Sequence, residues 1–345
     1  MTTDSTTGGR RARVVVTLLL LAAGVGLLVY MAGQLKLGLA DVRDGFGRIG
    51  VWFVAIFALS FGRFALRSYA WMALTPIRIP FGAAIAATIS GDALGNITPL
   101  GLAASEPAKA LYLRKYGPPS QLLASLTAEN FFYSVSVAIY IIVGAASMLE
   151  FFTIEPAIRI AGMVAVAGMS AILLGASWLA WQKPTMASAL IARVPIRRVQ
   201  SMVGQVRAFE EHAYGAAGHQ GSRLAIVAAC EIAFHLLSFV ECWMTFRLLT
   251  GVSAFLPVLV LDAFSRVVNI VFKVIPFRAG VEESGTALLA EAIGYAREGG
   301  FMLGLVRKAR VIVWAGVGMV LWARNAGASR GGSEGDGPWK SVPRT

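Results

Sequence analysis

The chain has 345 residues, of which 57% are hydrophobic and only 14% charged, and its mean hydropathy is +0.67. A soluble domain carries about a quarter charged residues, so a soluble enzyme and a single globular core are excluded, and apolar runs of about 20 residues mark membrane-spanning helices instead. Lys plus Arg number 31 against 19 Asp plus Glu, a net charge of +12, which in an all-α polytopic membrane protein reports basic cytoplasmic loops facing anionic lipid rather than nucleic-acid binding.

Residues 1–9 are polar and read as disordered. Arg10, Arg11 and Arg13 precede the apolar run 14–33, which reads as an uncleaved first helix with its N-terminus inside, because no small-residue cleavage site follows it. Further runs cover 51–74, 81–98, 119–148, 157–181, 222–250, 254–275 and 299–323, with two shorter segments at 102–116 and 279–294. The repeat halves are placed at about 51–148 and 222–323, inside a transmembrane domain spanning 10–324. The tail 325–345 is low-complexity.

The long link 182–221 carries Lys183, Arg193, Arg197, Arg198 and Arg207 and is expected in the cytoplasm. Within it Val199, Met202, Val203, Val206 and Phe209 keep helical spacing. That stripe reads either as an interfacial helix on anionic headgroups or as a cytosolic linker helix. Glu150 and Glu155 place their link outside. These assignments put both termini in the cytoplasm, provided 102–116 and 279–294 each carry the chain across.

Internal similarity is the strongest feature. At a shift of 177 residues, ITPLGLAASEPAKALYLRKYG (97–117) lies on VIPFRAGVEESGTALLAEAIG (274–294) without a gap. Pro99 meets Pro276, Glu106 meets Glu283, Ala110 and Leu111 meet Ala287 and Leu288, and Gly117 meets Gly294. Upstream, Thr88 corresponds to Ser265, Asp92 to Asn269 and Asn96 to Lys273. An odd number of crossings between the copies makes them an inverted pair, and proline-interrupted short segments at matching places point to a transporter-like binding site. Each proline breaks the helical ladder, and freed backbone is tolerated in a membrane only against protein or a water-filled cavity. The short helix after each break offers free N–H groups to a phosphate; the alternative is an ordinary interhelical turn.

Glu106 and Glu283 fall near the starts of those helices, as helix caps or as functional carboxylates, and Lys109 is spaced to pair with Glu106. Charges inside spans face a cavity or one another. Asp262 and Arg266 read as mutually neutralising, whereas Asn96 and Lys273, just before the prolines, read as ligand contacts. Glu129 and Arg307 lie well inside their runs, with Arg307 expected to meet Glu129 or Glu283, or else a lipid phosphate. Glu231, His235, Ser238 and Cys242 form a helical stripe, read as an interhelical hydrogen-bond seam with proton coupling through Glu231 and His235 as the sharper alternative. Asp92, Asp262 and Arg266 complete the coupling candidates. Cys230 and Cys242, about 18 Å apart on one helix, cannot bridge. The three histidines have no metal-ligand spacing, and no phosphate loop or nucleophile elbow is present; no metal, cofactor or enzymatic activity is expected.

At these residues the sequence resembles the lysylphosphatidylglycerol synthase transmembrane domain family, whose members are also called flippase-like membrane proteins. The resemblance covers roughly residues 12–325 and rests on IPFRAGVEES, with Pro276, Gly280 and Glu283, followed by Arg307. The first half departs from the pattern, with Ser105 where a glycine is usual and Asn130 where an arginine is usual. The resemblance implies a cell (inner) membrane protein that binds or translocates an anionic phospholipid or lipid-linked headgroup. Only a short polar tail follows the last run, so no aminoacyl-transferase domain is expected. Rival readings are a membrane scaffold partnering a lipid-modifying enzyme and a small-solute secondary transporter; apolar surfaces of this extent also allow a homodimer.

Overall fold

The computed structural model describes residues 19–331 apart from 20, 24, 99–100 and 182–220. Pro99, the arginines at 10, 11 and 13, and the amphipathic stripe of the link therefore lie outside the described residues. Among the described residues every regular element is helical. A helical stretch Leu21–Gln34 turns by 93° into α1 (Leu39–Ile49). There follow α2 (Trp52–Leu74), α3 (Phe81–Ile97), α4 (Leu102–Tyr112), α5 (Pro119–Phe151), α6 (Pro156–Trp181), α7 (Gly221–Thr250), α8 (Phe255–Val271), a 3-10 turn (Pro276–Arg278), α9 (Val281–Ala292) and α10 (Arg297–Gly331).

Four helices are long and apolar enough to cross a membrane alone, namely α2, α5, α6 over Pro156–Gly175, and α7; the bent N-terminal pair makes a fifth if it is one span. The long α10 carries Arg307, Lys308 and Arg310. The 17-residue helices α3 and α8 reach only about 26 Å at 1.5 Å per residue, short of a hydrocarbon core of about 30 Å. Their runs, read from sequence as full crossings, are thus inner helices continued by breaks. The sequence also gave no sign of α1. It is amphipathic and buries Ile49, with Met302 of α10 lying where a side chain on Gly45 would stand.

The order short inner helix, break, shorter helix, long helix occurs twice, as α3–α4–α5 and α8–α9–α10. Packing is reciprocal: α3 lies on α10 of the other half, α8 lies on α5, and the preceding helices α2 and α7 lie on each other. Small residues make these approaches. A Cβ on Gly318 would sit 2.6 Å from the Ile89 carbonyl of α3, and one on Gly144 would sit 2.2 Å from the Ala263 Cβ of α8. Within the halves, Gly91 and Gly95 of α3 meet α4, and Gly300 and Gly304 of α10 meet α9. Such small-xxx-small spacing lets backbones close where lipid supplies no hydrophobic drive.

Candidate functional site

The second break is fully described. Pro276 opens the 3-10 turn, Phe277 and Arg278 take left-handed φ of 53° and 52°, and Gly280 follows at 77°. Positive φ costs a non-glycine residue about 1–3 kcal/mol unless the surroundings enforce it. Here Lys308 of α10 donates to the Phe277 carbonyl, and Arg278 Nη2 donates to Asn96 Oδ1 at 2.9 Å. The break is therefore held from both halves. In the first half Gly101, at φ 47°, begins α4.

Between the halves lies a cavity of about 320 Å³. Its walls obey the sequence shift: Thr88 and Ser265, Asp92 and Asn269, Asn96 and Lys273, Gly101 and Arg278, Ser105 and Glu282, Tyr133 and Arg310, Ser134 and Val311, and Val137 and Trp314 all line it, each pair 177 residues apart. The repeat seen in the sequence is thus a relation between two walls of one chamber. The helices α2 and α7 complete it with Ser60, Arg63, Phe64, Arg67 and Phe234, Ser238, Glu241.

One end of the cavity is a network of arginines on shared carboxylates. Asp262 accepts from Arg307 Nη2 at 2.6 Å, from Arg266 Nη2 at 3.4 Å and from the Tyr140 hydroxyl at 2.9 Å. Glu241 is paired with Arg310 and lies 3.5 Å from Arg63. Ser238 joins the two groups: its hydroxyl accepts from Arg63 Nη1 at 3.0 Å and from Arg266, and contacts Asp262 Oδ1 at 3.2 Å. The Phe234 ring has the guanidinium carbons of Arg63 and Arg266 each 5.5 Å from its centroid, close enough for cation–π attraction.

The other charged groups divide by whether they own a counter-charge. Arg67 grips Glu129 with two hydrogen bonds of 2.8 Å and also reaches Asn130. Lys109 pairs with Glu106 at 2.8 Å. Lys308 lies 3.2 Å from Glu282 and 3.6 Å from Glu283. By contrast Lys273 and Arg278, both lining the cavity, have no carboxylate within 4 Å among the described residues. Among the described residues Asp92 is bonded only by the Asn96 amide, at 2.9 Å.

Of the residues expected at the site, Asp92, Asn96, Lys109, Lys273, Asp262, Arg266 and Arg307 line the cavity. Glu106, Glu129, Glu231, His235, Pro276, Gly280 and Glu283 are not among its lining residues. Glu106 and Glu283, equivalent in the repeat, both lie behind the wall, each beside a lysine; their preceding neighbours Ser105 and Glu282 face the chamber. Glu283 is fully buried against Gly304. Arg307 pairs with Asp262 rather than with Glu129, which Arg67 occupies, or with Glu283, which has Lys308. The expected Asp262–Arg266 pair exists but is shared with Arg307. Glu231 and His235 both bond Ser136 of α5, at 2.9 and 3.1 Å, which is the interhelical seam.

Sequence reading missed Arg63, Arg67, Arg278, Glu282, Lys308 and Arg310, and noted Glu241 only as a neighbour of the Glu231–Cys242 stripe. The signal for the first two was present: arginines four residues apart inside the apolar run 51–74 should have raised the same question as Arg307. Among the described residues no three His, Cys, Asp or Glu side chains converge as a metal site requires. What the site offers is guanidinium, ammonium and carboxylate groups in a buried chamber, a donor set suited to phosphate oxygens.

No curated protein and no solved structure matches the chain. The family model described as the lysylphosphatidylglycerol synthase TM region matches residues 14–318, nearly the whole length and every helix that lines the cavity. The chain is therefore a multi-pass membrane protein belonging to the lysylphosphatidylglycerol synthase TM region family, a family connected with phospholipid handling.

Proposed function

We propose that the cavity receives the phosphate-bearing headgroup of an anionic phospholipid or lipid-linked substrate and moves it between leaflets, without a chemical reaction on it. The observation that carries this reading is the excess of cations on the wall. Among the described residues eight Lys and Arg side chains line the chamber against four Asp and Glu, Glu129 and Glu106 behind the wall match two more of them, and donors on Arg63, Arg266, Arg278 and Arg307 have no hydrogen-bond partner. Buried donors left unpaired cost about 1–3 kcal/mol each, so a ligand supplying acceptor oxygens stabilises the site.

In this reading the two halves are inverted across the membrane, with both termini and the basic link 182–221 on the cytoplasmic side of the cell membrane. Reciprocal packing of the halves and the constant spacing of the wall pairs support it. Reconstitution into vesicles with fluorescent anionic phospholipids is the test. Protein-dependent loss of leaflet asymmetry is expected, and unchanged asymmetry across a panel of headgroups overturns the reading. External labelling of single cysteines is expected to reach position 152 and miss position 198.

A further inference from the structure

Resting on that reading, we infer that the subsite formed by Arg63, Arg266, Arg307 and Arg310 selects a doubly charged phosphate, a lipid phosphomonoester or diphosphate, over the singly charged phosphodiester of an ordinary phospholipid. The argument is one of local charge. These four guanidiniums share two carboxylates, Asp262 and Glu241, and so keep two positive charges with no counter-charge in their network. The other nearby charges balance one another: Glu129 against Arg67, Glu106 against Lys109, and the three acids Glu282, Glu283 and Asp92 against the three cations Lys308, Lys273 and Arg278.

The subsite is enclosed. Arg266, Arg307 and Arg310 are 7%, 6% and 9% exposed, so water screens their charge little. Arg63 Nε, Arg266 Nε and Arg307 Nη1 are buried without a partner, as is the indole N–H of Trp314 on the same wall. The geometry of the arginines is fixed by Asp262, Glu241, Ser238 and the Phe234 ring, which leaves these donors unspent. A phosphodiester neutralises one of the two surplus charges and leaves the other buried and unmatched. A terminal phosphate, which carries close to two charges above neutral pH, neutralises both. Its additional anionic oxygen also gives the unpaired donors one more strong acceptor.

The test is binding to the purified full chain at pH 8, measured by native mass spectrometry and by thermal stabilisation, with phosphatidic acid, phosphatidylglycerol, phosphatidylcholine and inorganic pyrophosphate as the probes. Phosphatidic acid is expected to bind at least about tenfold tighter than phosphatidylglycerol, since a second charge at contact distance outweighs the added desolvation. Arg307→Gln, or Arg63→Gln if the first fails to fold, is expected to bring the two lipids within about threefold of each other by removing one surplus charge. Equal affinity for the two anionic lipids in the unmodified protein overturns the inference while leaving the phospholipid reading intact. Binding of pyrophosphate with no preference for either anionic lipid over phosphatidylcholine keeps the dianion subsite and overturns the lipid reading. Binding of none of the four overturns both.

Discussion

Where the first half has Asn96, Gly101, Asn130 and Tyr133, the second half has Lys273, Arg278, Arg307 and Arg310. The skeleton around these positions is the same: a 17-residue helix, a break, a helix of 11 or 12 residues, then one of 33 or 35. Glycines on the long helices, Gly144 and Gly318, allow equivalent close approaches to the inner helix of the opposite half. The comparison separates what a repeat must keep from what it can change. Chain breaks and small residues set the chamber's shape, so both copies keep them. Charge can differ, because a wall residue's side chain meets the ligand space rather than the packing. At these four positions the first half is neutral and the second cationic, although the first half also brings Arg63, Arg67 and Lys109 to the chamber.

The halves also differ in how they secure their buried charges, and the largest expected effect exposes this. Glu129 is 1% exposed and accepts from Arg67 alone among the described residues. Arg67→Ala thus strands a buried carboxylate and should cost about 3–5 kcal/mol, seen as a collapse of thermal stability or of folded yield. Asp262 keeps Arg266, Tyr140 and Ser238 when Arg307 is removed, so Arg307→Ala should cost about 1–2 kcal/mol. Equal losses in the two variants would break the distinction between single and shared pairing.

Close backbone approaches within each half predict effects of intermediate size. A Cβ at Gly304 would lie 2.7 Å from the Glu283 Cα, and one at Gly91 would lie 2.9 Å from the Ser105 carbonyl and closer still to the Lys109 side chain. Gly304→Ala in the second half and Gly91→Ala in the first, at different helix pairs, should each destabilise by about 1–3 kcal/mol through overpacking, measured by thermal unfolding in detergent. An unchanged unfolding temperature in either variant would show that the close approach at that glycine is not tight.

Smaller effects belong to the wall itself. Asp92→Asn gives up a charge whose one partner is the Asn96 amide and should cost about 0.5–1.5 kcal/mol. Lys273→Gln and Arg278→Gln remove cations with no carboxylate within reach. Arg278→Gln also gives up its bond to Asn96, yet each variant should lose no more than about 1 kcal/mol of stability, since neither strands a buried carboxylate.

Much of this was legible in the sequence because it is written in polarity. Thr88, Asp92 and Asn96 step by four along an apolar helix, and their partners 177 residues on repeat the pattern; both sets line the chamber. The proline at 276 marks its break correctly, since a missing N–H is a local property. Pairing is not local, and there the reading failed. Arg307 was matched to glutamates on grounds of depth, whereas helix packing delivers it to Asp262 of α8. Glu282 and Glu283 differ by about 100° around their helix, enough to put one in the chamber and the other behind it; sequence cannot choose between neighbours without the packing partner. The helix α1 escaped notice because its 11 residues are too short and too polar to register as a span.

The central claim is that the chamber's cations, among them Lys273 and Arg278 of the second half, handle a lipid phosphate. It is tested most directly by the rate at which reconstituted protein equilibrates a fluorescent anionic phospholipid between leaflets, read by chemical quenching of the outer leaflet. The double variant Lys273→Gln with Arg278→Gln is the comparison, because neither residue holds a buried carboxylate. The account predicts that this variant unfolds at nearly the same temperature as the unaltered protein and loses at least about tenfold in rate, since each lost charge-assisted contact to a phosphate is worth roughly 1.5 kcal/mol or more. An unchanged rate in the folded double variant would contradict it.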